Sequence, residues 1–317
     1  MNSYEMWRQN ITTSGSKRLE IETTSPIFSN QNNPVNTHLE ELWESVENSD
    51  SPIVLWNTRP ASHLNLLHLI YLEKLKELQK LGFKTTILVF DKYHREVTEV
   101  SEPKRSERNA VKFSKKLAEY GLNEDKTEII LETDLRFCIN SDKLLETMIA
   151  LSNLKDTPEK FEYRQDSQDI SRGLIRNTIE IYYESVIDCD VILSSSSDLN
   201  NVWEKLRSKI IEGGFFEGHE EPLVLGVPTV KVNNQMLSPT ESSFVGEDIE
   251  ENNIRENLYN YDQLREIVFE YIVLPRSDGR MNIDGQQCAS FSQLNTFSVD
   301  KQVKIMMEHI KDCLYPI

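Results

Sequence analysis

The chain has 317 residues, a formal charge of −17 and 38% hydrophobic residues, enough apolar material for a large core but too acidic a balance to attract nucleic acid or anionic membrane without a local basic patch. Its four cysteines, Cys138, Cys189, Cys288 and Cys313, are far apart and form no C-x-x-C pair, so neither a zinc ribbon nor a dense disulfide framework is indicated. The first residues are polar and no run reaches membrane-spanning length, so the expectation is a cytoplasmic protein with reduced thiols.

Residues 1–37 are rich in Ser, Thr, Asn and Pro and read as an arm. A short helix (Leu39, Leu42, Trp43, Val46) leads into Pro52-Ile-Val-Leu-Trp56, an apolar run suited to a buried parallel strand. A turn, Asn57-Thr-Arg-Pro-Ala-Ser62, precedes a helix with apolar positions Leu64, Leu67, Tyr71, Leu75 and Leu78, and Gly82 stands where a helix C-cap belongs. Thr85 to Phe90 is the next strand, so strand, helix and strand fit in roughly 40 residues, the length of a right-handed βαβ unit.

A second helix (Ala110, Phe113, Leu117, Tyr120) ends at Gly121, and Thr127 to Leu131 is a third strand. Helical patterns at Leu144–Leu154 and Ile175–Val186 precede two more apolar runs, Asp190–Leu193 and Pro228–Val232. This alternation predicts an α/β fold, a Rossmann-like doubly wound parallel sheet. Beyond Ser243 the spacing of Ile254, Leu258, Leu264, Val268 and Tyr271 predicts a C-terminal helical region, with a turn-rich stretch from Pro275 to Ser290 and a closing helix through Val303, Met306, Met307, Ile310 and Leu314. The division is then 1–37 arm, 38–240 Rossmann-like domain and 241–317 helical domain.

Charge is unevenly spread. Lys104, Arg105, Arg108, Lys112, Lys115 and Lys116 outnumber the acids around them, and the plain reading is a solvated helix face. From Glu241 to Glu270 acids greatly exceed Arg255 and Arg265, which makes that segment a poor platform for RNA.

In open α/β sheets ligands sit beyond the carboxyl ends of the strands. The turn after Trp56 reads Thr58-Arg59-Pro-Ala-Ser62-His63-Leu-Asn65-Leu66-Leu-His68. Amides at the next helix's N-terminus favour an anion, and an imidazole on its first turn can donate to a phosphate, which makes His63 a candidate. A solvent-capped His is the plain alternative, and His68 reads as a packing or surface residue.

Thr58, His63-Leu-Asn65-Leu66, the Leu-rich helix, Leu78-Gln-Lys-Leu-Gly-Phe83, the following strand and Asp91 resemble the first half of tyrosyl- and tryptophanyl-tRNA synthetases, class I enzymes whose signature there is H-x-G-H. His63 matches the first His, while Asn65 stands for the Gly and Leu66 for the second His. That glycine lets a nucleotide approach the helix backbone, where a side chain intrudes. Tyr183 to Asp190 is similar to the family's Y-P-x-x-Q-x-x-D segment, which recognises the amino acid, with Ile187 in place of the Gln. Ser196-Ser-Asp198-Leu199 resembles the G-x-D-Q turn, and Gln235-Met236-Leu-Ser238-Pro239-Thr240 occupies the place of K-M-S-K-S without its lysines. Residues 299–317 are similar to the closing helix of archaeal and eukaryotic tyrosyl enzymes.

The resemblance implies ATP with Mg²⁺ as co-substrate, a homodimer, catalytic roles for His63, Thr58 and Arg59, nucleotide contacts at His63, Asn65, Met236 and Ser238, and a ligand pocket of Trp56, Asp91, Tyr183, Asp190 and Asp198. The missing loop lysines are donors whose removal costs roughly 10²- to 10³-fold in rate; Lys231, upstream of the loop, and Arg59, on the first turn, are the candidate cations to replace them. Three activities stay open: a repurposed paralogue that forms an aminoacyl adenylate or uses aminoacyl-tRNA, a catalytically silent pseudo-synthetase that binds a partner or small molecule, and an ATP-independent transferase like cyclodipeptide synthases, with Ser62 as nucleophile. The last needs a basic surface for tRNA that this composition does not supply.

Overall fold

The computed structural model describes residues 51–58, 60, 64–91, 103–138, 183–184, 186–187, 189–194, 222–226, 231–232, 235–236, 251–277 and 280–314. β1 (Ile53–Thr58) leads to α1 (Leu66–Leu81) and β2 (Lys84–Val89), then to α2 (Pro103–Glu119) and β3 (Thr127–Leu131). β4 (Val191–Ser194) and β5 (Leu223–Gly226) complete one sheet in the order β3-β2-β1-β4-β5. Every pairing in it is parallel. Chain order reverses between β1 and its neighbour β4, which creates a crevice at the carboxyl ends of these strands, the usual ligand position in such sheets. The predicted doubly wound α/β sheet is present.

Period-two alternation sorts the strand side chains onto two layers. Val54 and Trp56 face α1, whereas Leu55 packs with Leu88, Phe90, Ile192 and Tyr183 on the other side. α1 is held at both ends by its own sequence. Asn65 caps it by accepting from the His68 amide at 3.1 Å, while His68 Nδ1 accepts the Asn65 amide at 3.0 Å, a reciprocal capping box. Gly82 closes it at φ 117°, and its amide and that of Phe83 bond to Gln79 and Leu78, the left-handed ending that glycine tolerates best.

α1 is buried on more than one face, which explains why His68, Glu73, Lys74, Glu77 and Gln79 are buried with its leucines. Each has a partner of its own. Gln79 spans two strands, donating to Thr85 Oγ1 (3.1 Å) and Thr127 Oγ1 (2.8 Å), while Lys74 pairs with Glu77 at 3.0 Å and lies over the Tyr271 ring.

The helical region supplies the wall on α1's far side. α3 (Glu251–Asn260) and α4 (Asp262–Val268) run into a π-helical turn at Phe269–Val273, a helical turn at Leu274–Arg276, a hairpin, a turn at Phe291–Leu294, and α5 (Val299–Leu314). Here β6 (Lys231–Val232) and β7 (Gln235–Met236) form an earlier, separate antiparallel pair, and β8 (Met281–Ile283) and β9 (Gln286–Cys288) another. Buried Arg265 ties the region together: it donates to the Leu258 and Tyr259 carbonyls at the end of α3 and to Gln302 Oε1 on α5. Leu258, Val268, Phe269, Met306 and Ile310 belong to the same apolar cluster as Val54, Ile70 and Leu75. Residues on either side of the 240/241 division therefore share one core.

Two expectations are corrected. The fifth sheet strand is Leu223–Gly226, not Pro228–Val232; of the latter, Lys231–Val232 forms a short hairpin arm with Gln235–Met236. Leu223-Val-Leu is an uninterrupted apolar run, whereas Pro228 and Lys231 interrupt the later one. The turn-rich stretch contains a hairpin, because Asp284 (φ 52°) and Gly285 (φ 84°) adopt the paired left-handed geometry of a two-residue turn. The helical patterns expected at 39–46, 144–154 and 175–182 lie outside the described residues.

Candidate functional site

The parallel register brings the strand ends level: Thr58 faces Val89, and Val89 faces Leu131. Residues just beyond these positions share one edge of the sheet. Thr58 is 5% exposed, and its carbonyl accepts the Phe90 amide at 3.0 Å. Asp91 follows β2 and accepts from Thr133, through the amide at 3.0 Å and the hydroxyl at 2.9 Å. Glu132 follows β3 and accepts the Tyr183 hydroxyl at 3.2 Å, and Tyr183 packs against Phe90 with ring centroids 5.9 Å apart. Beside it, Glu184 accepts from Asn57 Nδ2 at 2.6 Å.

One edge thus carries three buried carboxylates, Asp91, Glu132 and Glu184, each oriented by a neutral donor from another element. Asn57 Oδ1 is buried and has no hydrogen-bond partner among the described residues. This edge therefore concentrates buried, oriented acceptor oxygens.

Of the expected pocket residues, Asp91 and Tyr183 meet at this edge through the adjacent pair Glu132-Thr133. Asp190 does not join them. Its carboxylate accepts the Ile53 amide at 2.7 Å, which puts it at the amino end of β1 and β4, the opposite edge of the sheet. The match of Tyr183 and Asp190 to one motif therefore joins residues on two edges. Trp56 is also placed elsewhere, buried beneath α1 and stacked on Tyr71 at 5.2 Å and 8°. A strand residue two before Thr58 points to the same layer as Thr58 but a full pleat deeper.

Asn65 serves the helix cap, as described. The His68 amide, which an anion at this helix N-terminus would use, is already taken by Asn65 Oδ1. Of the amides at this helix N-terminus, that of His68 is thus committed to the cap. His68 itself is buried between Trp56 and Phe113, and burial holds its pKa down at about 3, so the ring is neutral. It is a packing residue, as its sequence position suggested.

Met236 lies in β7 directly opposite Lys231 of β6, which brings a lysine onto the hairpin that stands in the place of the family's signature loop. Arg59, Ser62, His63, Asp198 and Ser238 lie outside the described residues. No group of three His, Cys, Asp or Glu side chains arranged to hold a metal occurs among the described residues, and none of their helices is long and apolar enough to cross a membrane.

Sequence reasoning missed Asn57, Glu132, Thr133 and Glu184. The signal was available for three of them: Asn57 is one residue from a strand end, and Glu132-Thr133 follows β3 as Asp91 follows β2. Glu184 carried none.

No protein-family model and no curated protein matches the chain by sequence. Solved structures do match. Tyrosyl-tRNA synthetase from Archaeoglobus fulgidus, complexed with L-tyrosine, aligns over 87% of this chain and 92% of its own at 17% identity, with a TM-score of 0.65. The tyrosyl enzyme from Aeropyrum pernix aligns over 94% and 92% at 14% identity, TM-score 0.66. The tryptophanyl enzyme from Plasmodium falciparum aligns over 97% and 91% at 12% identity, TM-score 0.58. The chain has the class I fold of tyrosyl- and tryptophanyl-tRNA synthetases. The likeness spans most of the chain at low identity.

Proposed function

We propose that the chain is a divergent protein of the synthetase fold that holds an amino acid, or another small ligand bearing an amino group, at the carboxyl ends of β1 and β2. The observation that carries this reading is the edge formed by Asp91, Glu132 and Glu184, whose oxygens are buried and oriented by Thr133, Tyr183 and Asn57. Fixed acceptors in a water-poor setting favour a charged N–H donor over water. The unpartnered Asn57 Oδ1 adds one more acceptor at the same place. Calorimetry with the amino acids and with their 2-oxo-acid counterparts tests it: binding of at least one amino acid and none of its amine-free analogue is expected. Failure of every amine-bearing ligand to bind overturns it.

The resemblance assigns such a ligand to ATP-dependent activation, which amino-acid-dependent exchange of pyrophosphate into ATP measures, with His63→Ala as the control. A second reading, a silent synthetase that binds its ligand without activating it, is favoured by the Asn65–His68 capping box. Binding of an amino acid with no exchange is its expected signature.

A further inference from the structure

The acceptors of the ligand edge fall into two groups. Glu132, just past β3, takes the Tyr183 hydroxyl, and its neighbour Thr133 holds Asp91. Glu184 takes Asn57 Nδ2 at the end of β1. Sheet order places β2 between β1 and β3, and strands lie about 4.8 Å apart, so the backbones that carry Asn57 and Glu132 are roughly 10 Å from each other. Thr58, Val89 and Leu131 are level. Asn57 stands one residue before that line and Glu132 one beyond it, which adds to the separation along the strands. Both still belong to one face of the sheet: alternation sets Asn57 on the side of Leu55 and Glu132 on that of Ile130, and these two pack in the same apolar cluster.

Tyr183 and Glu184 keep the groups apart. They are consecutive helical residues, whose side chains leave the axis about 100° from each other. One packs on Phe90 of the β2 end and reaches Glu132, while the other reaches Asn57 on β1. Among the described residues no three acids converge as they do around a single ion. An ammonium nitrogen holds its acceptors at about 2.8 Å, so two oxygens on opposite sides of it are no more than about 6 Å apart. One amino group does not serve both ends.

Asn57 turns the second group into a point of recognition. A Glu184 carboxylate only accepts, so the Asn57 amide nitrogen faces it and Oδ1 faces away. That oxygen is buried with no hydrogen-bond partner, a state in which native structures leave few groups. A donor on the ligand satisfies it, and the carboxylate beside it favours a cationic one.

We propose that the ligand of this edge carries two amino groups on one flexible chain, the first held by Glu132 and Asp91 and the second by Asn57 Oδ1 and Glu184. Dibasic amino acids and simple diamines share that chemistry. The assignment rests on the amine-binding reading of the edge and goes beyond it in making Asn57 the residue that tells ligands with two amino groups from ligands with one.

Calorimetry on the full chain compares lysine with norleucine, ornithine with norvaline, and cadaverine with pentylamine, pairs that differ only in the second amino group. The two-amine member of at least one pair should bind at least about tenfold tighter, and preference in an amino-acid pair but not in the cadaverine pair identifies a dibasic amino acid. Asn57→Leu and Glu184→Gln, the latter keeping an acceptor for Asn57 Nδ2, should each erase most of that preference and leave the one-amine ligand within about twofold, whereas Glu132→Gln should weaken both members alike. Thermal unfolding confirms that the variants fold, and Glu184→Gln carries the test if Asn57→Leu does not. Equal affinity within every pair, with one-amine ligands still bound, overturns the two-headed ligand and leaves the amine-binding edge standing. No binding by any of these probes overturns both. A preference that survives Asn57→Leu and Glu184→Gln, or an equal loss for both members of a pair in these variants, removes Asn57 and Glu184 from recognition and overturns the proposal.

Discussion

The Tyr120 hydroxyl donates to Glu73 Oε1 at 2.7 Å, and the same oxygen takes Arg276 Nη1 at 2.9 Å from 203 residues further along the chain. Glu73 is 2% exposed, and Lys76 approaches it at 3.5 Å while lying over the Tyr120 ring. One carboxylate thereby joins α1, the end of α2 and the helical region.

Removing that carboxylate takes the Glu73 acceptor from both Arg276 and the Tyr120 hydroxyl, and leaves Arg276 with Cys313 Sγ as its remaining side-chain partner among the described residues. Loss of one partner of a buried ion pair costs about 3–5 kcal/mol, and Arg276, whose side chain is 22% exposed, regains some hydration. Glu73→Ala is expected to lower unfolding stability by about 3 kcal/mol, read from urea denaturation, while Glu73→Gln keeps an acceptor for Tyr120 and loses less.

Burial depresses the His68 pKa to about 3, whereas the unfolded chain titrates near its ordinary value of about 6.5. Stability from the neutral ring is complete above that value and is lost as pH falls toward 3, because only the unfolded state takes up the proton. From pH 7 to pH 5 the loss is about 2 kcal/mol for this group. His68→Phe should flatten the slope of stability against pH in that window, at a constant offset of about 1 kcal/mol from the lost capping box. An unchanged slope would contradict the assignment.

Asn65 offers a test of the nucleotide question. Asn65→Ala is expected to cost about 1 kcal/mol, and Asn65→Gly only a few tenths. The glycine variant also releases the His68 amide at the helix N-terminus, so calorimetry with ATP or pyrophosphate should show tighter binding for Asn65→Gly than for the parent chain. Equal affinity would mean that the anion does not use this amide.

At the ligand edge, Thr133→Val removes the hydroxyl donor to Asp91 and keeps the amide bond, for a loss near 1 kcal/mol. Asp91→Ala removes both acceptors and should abolish binding of the amino-bearing ligand. Glu132→Gln, which retains an acceptor for Tyr183, is expected to weaken a charged amine by roughly tenfold or more while changing stability little.

The sheet was legible because the apolar runs at Ile53, Thr85 and Thr127 are separated by amphipathic helices and punctuated by Gly82 and Gly121. β5 was not, since the β-branched run after Pro228 looked more strand-like than the shorter Leu223-Val-Leu. α1 was less legible: Glu73, Lys74, Glu77 and Gln79 are all buried, Glu73 on Tyr120 and Arg276, Gln79 on Thr85 and Thr127, and Lys74 against Glu77 and the Tyr271 ring. Pairings such as Glu73 with Arg276 cannot be inferred from spacing. The site showed the same limit. Asp91 and Tyr183 were found through strand ends and resemblance, but Asp190 fell on the wrong edge because a motif spacing says nothing of how quickly the chain crosses a sheet.

The shared core of α1 with Leu258, Val268 and Met306 has a consequence for modularity. The C-terminal helices are the second wall of the nucleotide-fold layer and not an appendage that can be trimmed away. A chain ending at residue 240 would uncover part of α1's apolar surface and should aggregate. A protease nick between Met236 and Glu251, by contrast, should leave two fragments that elute together until denaturant separates them.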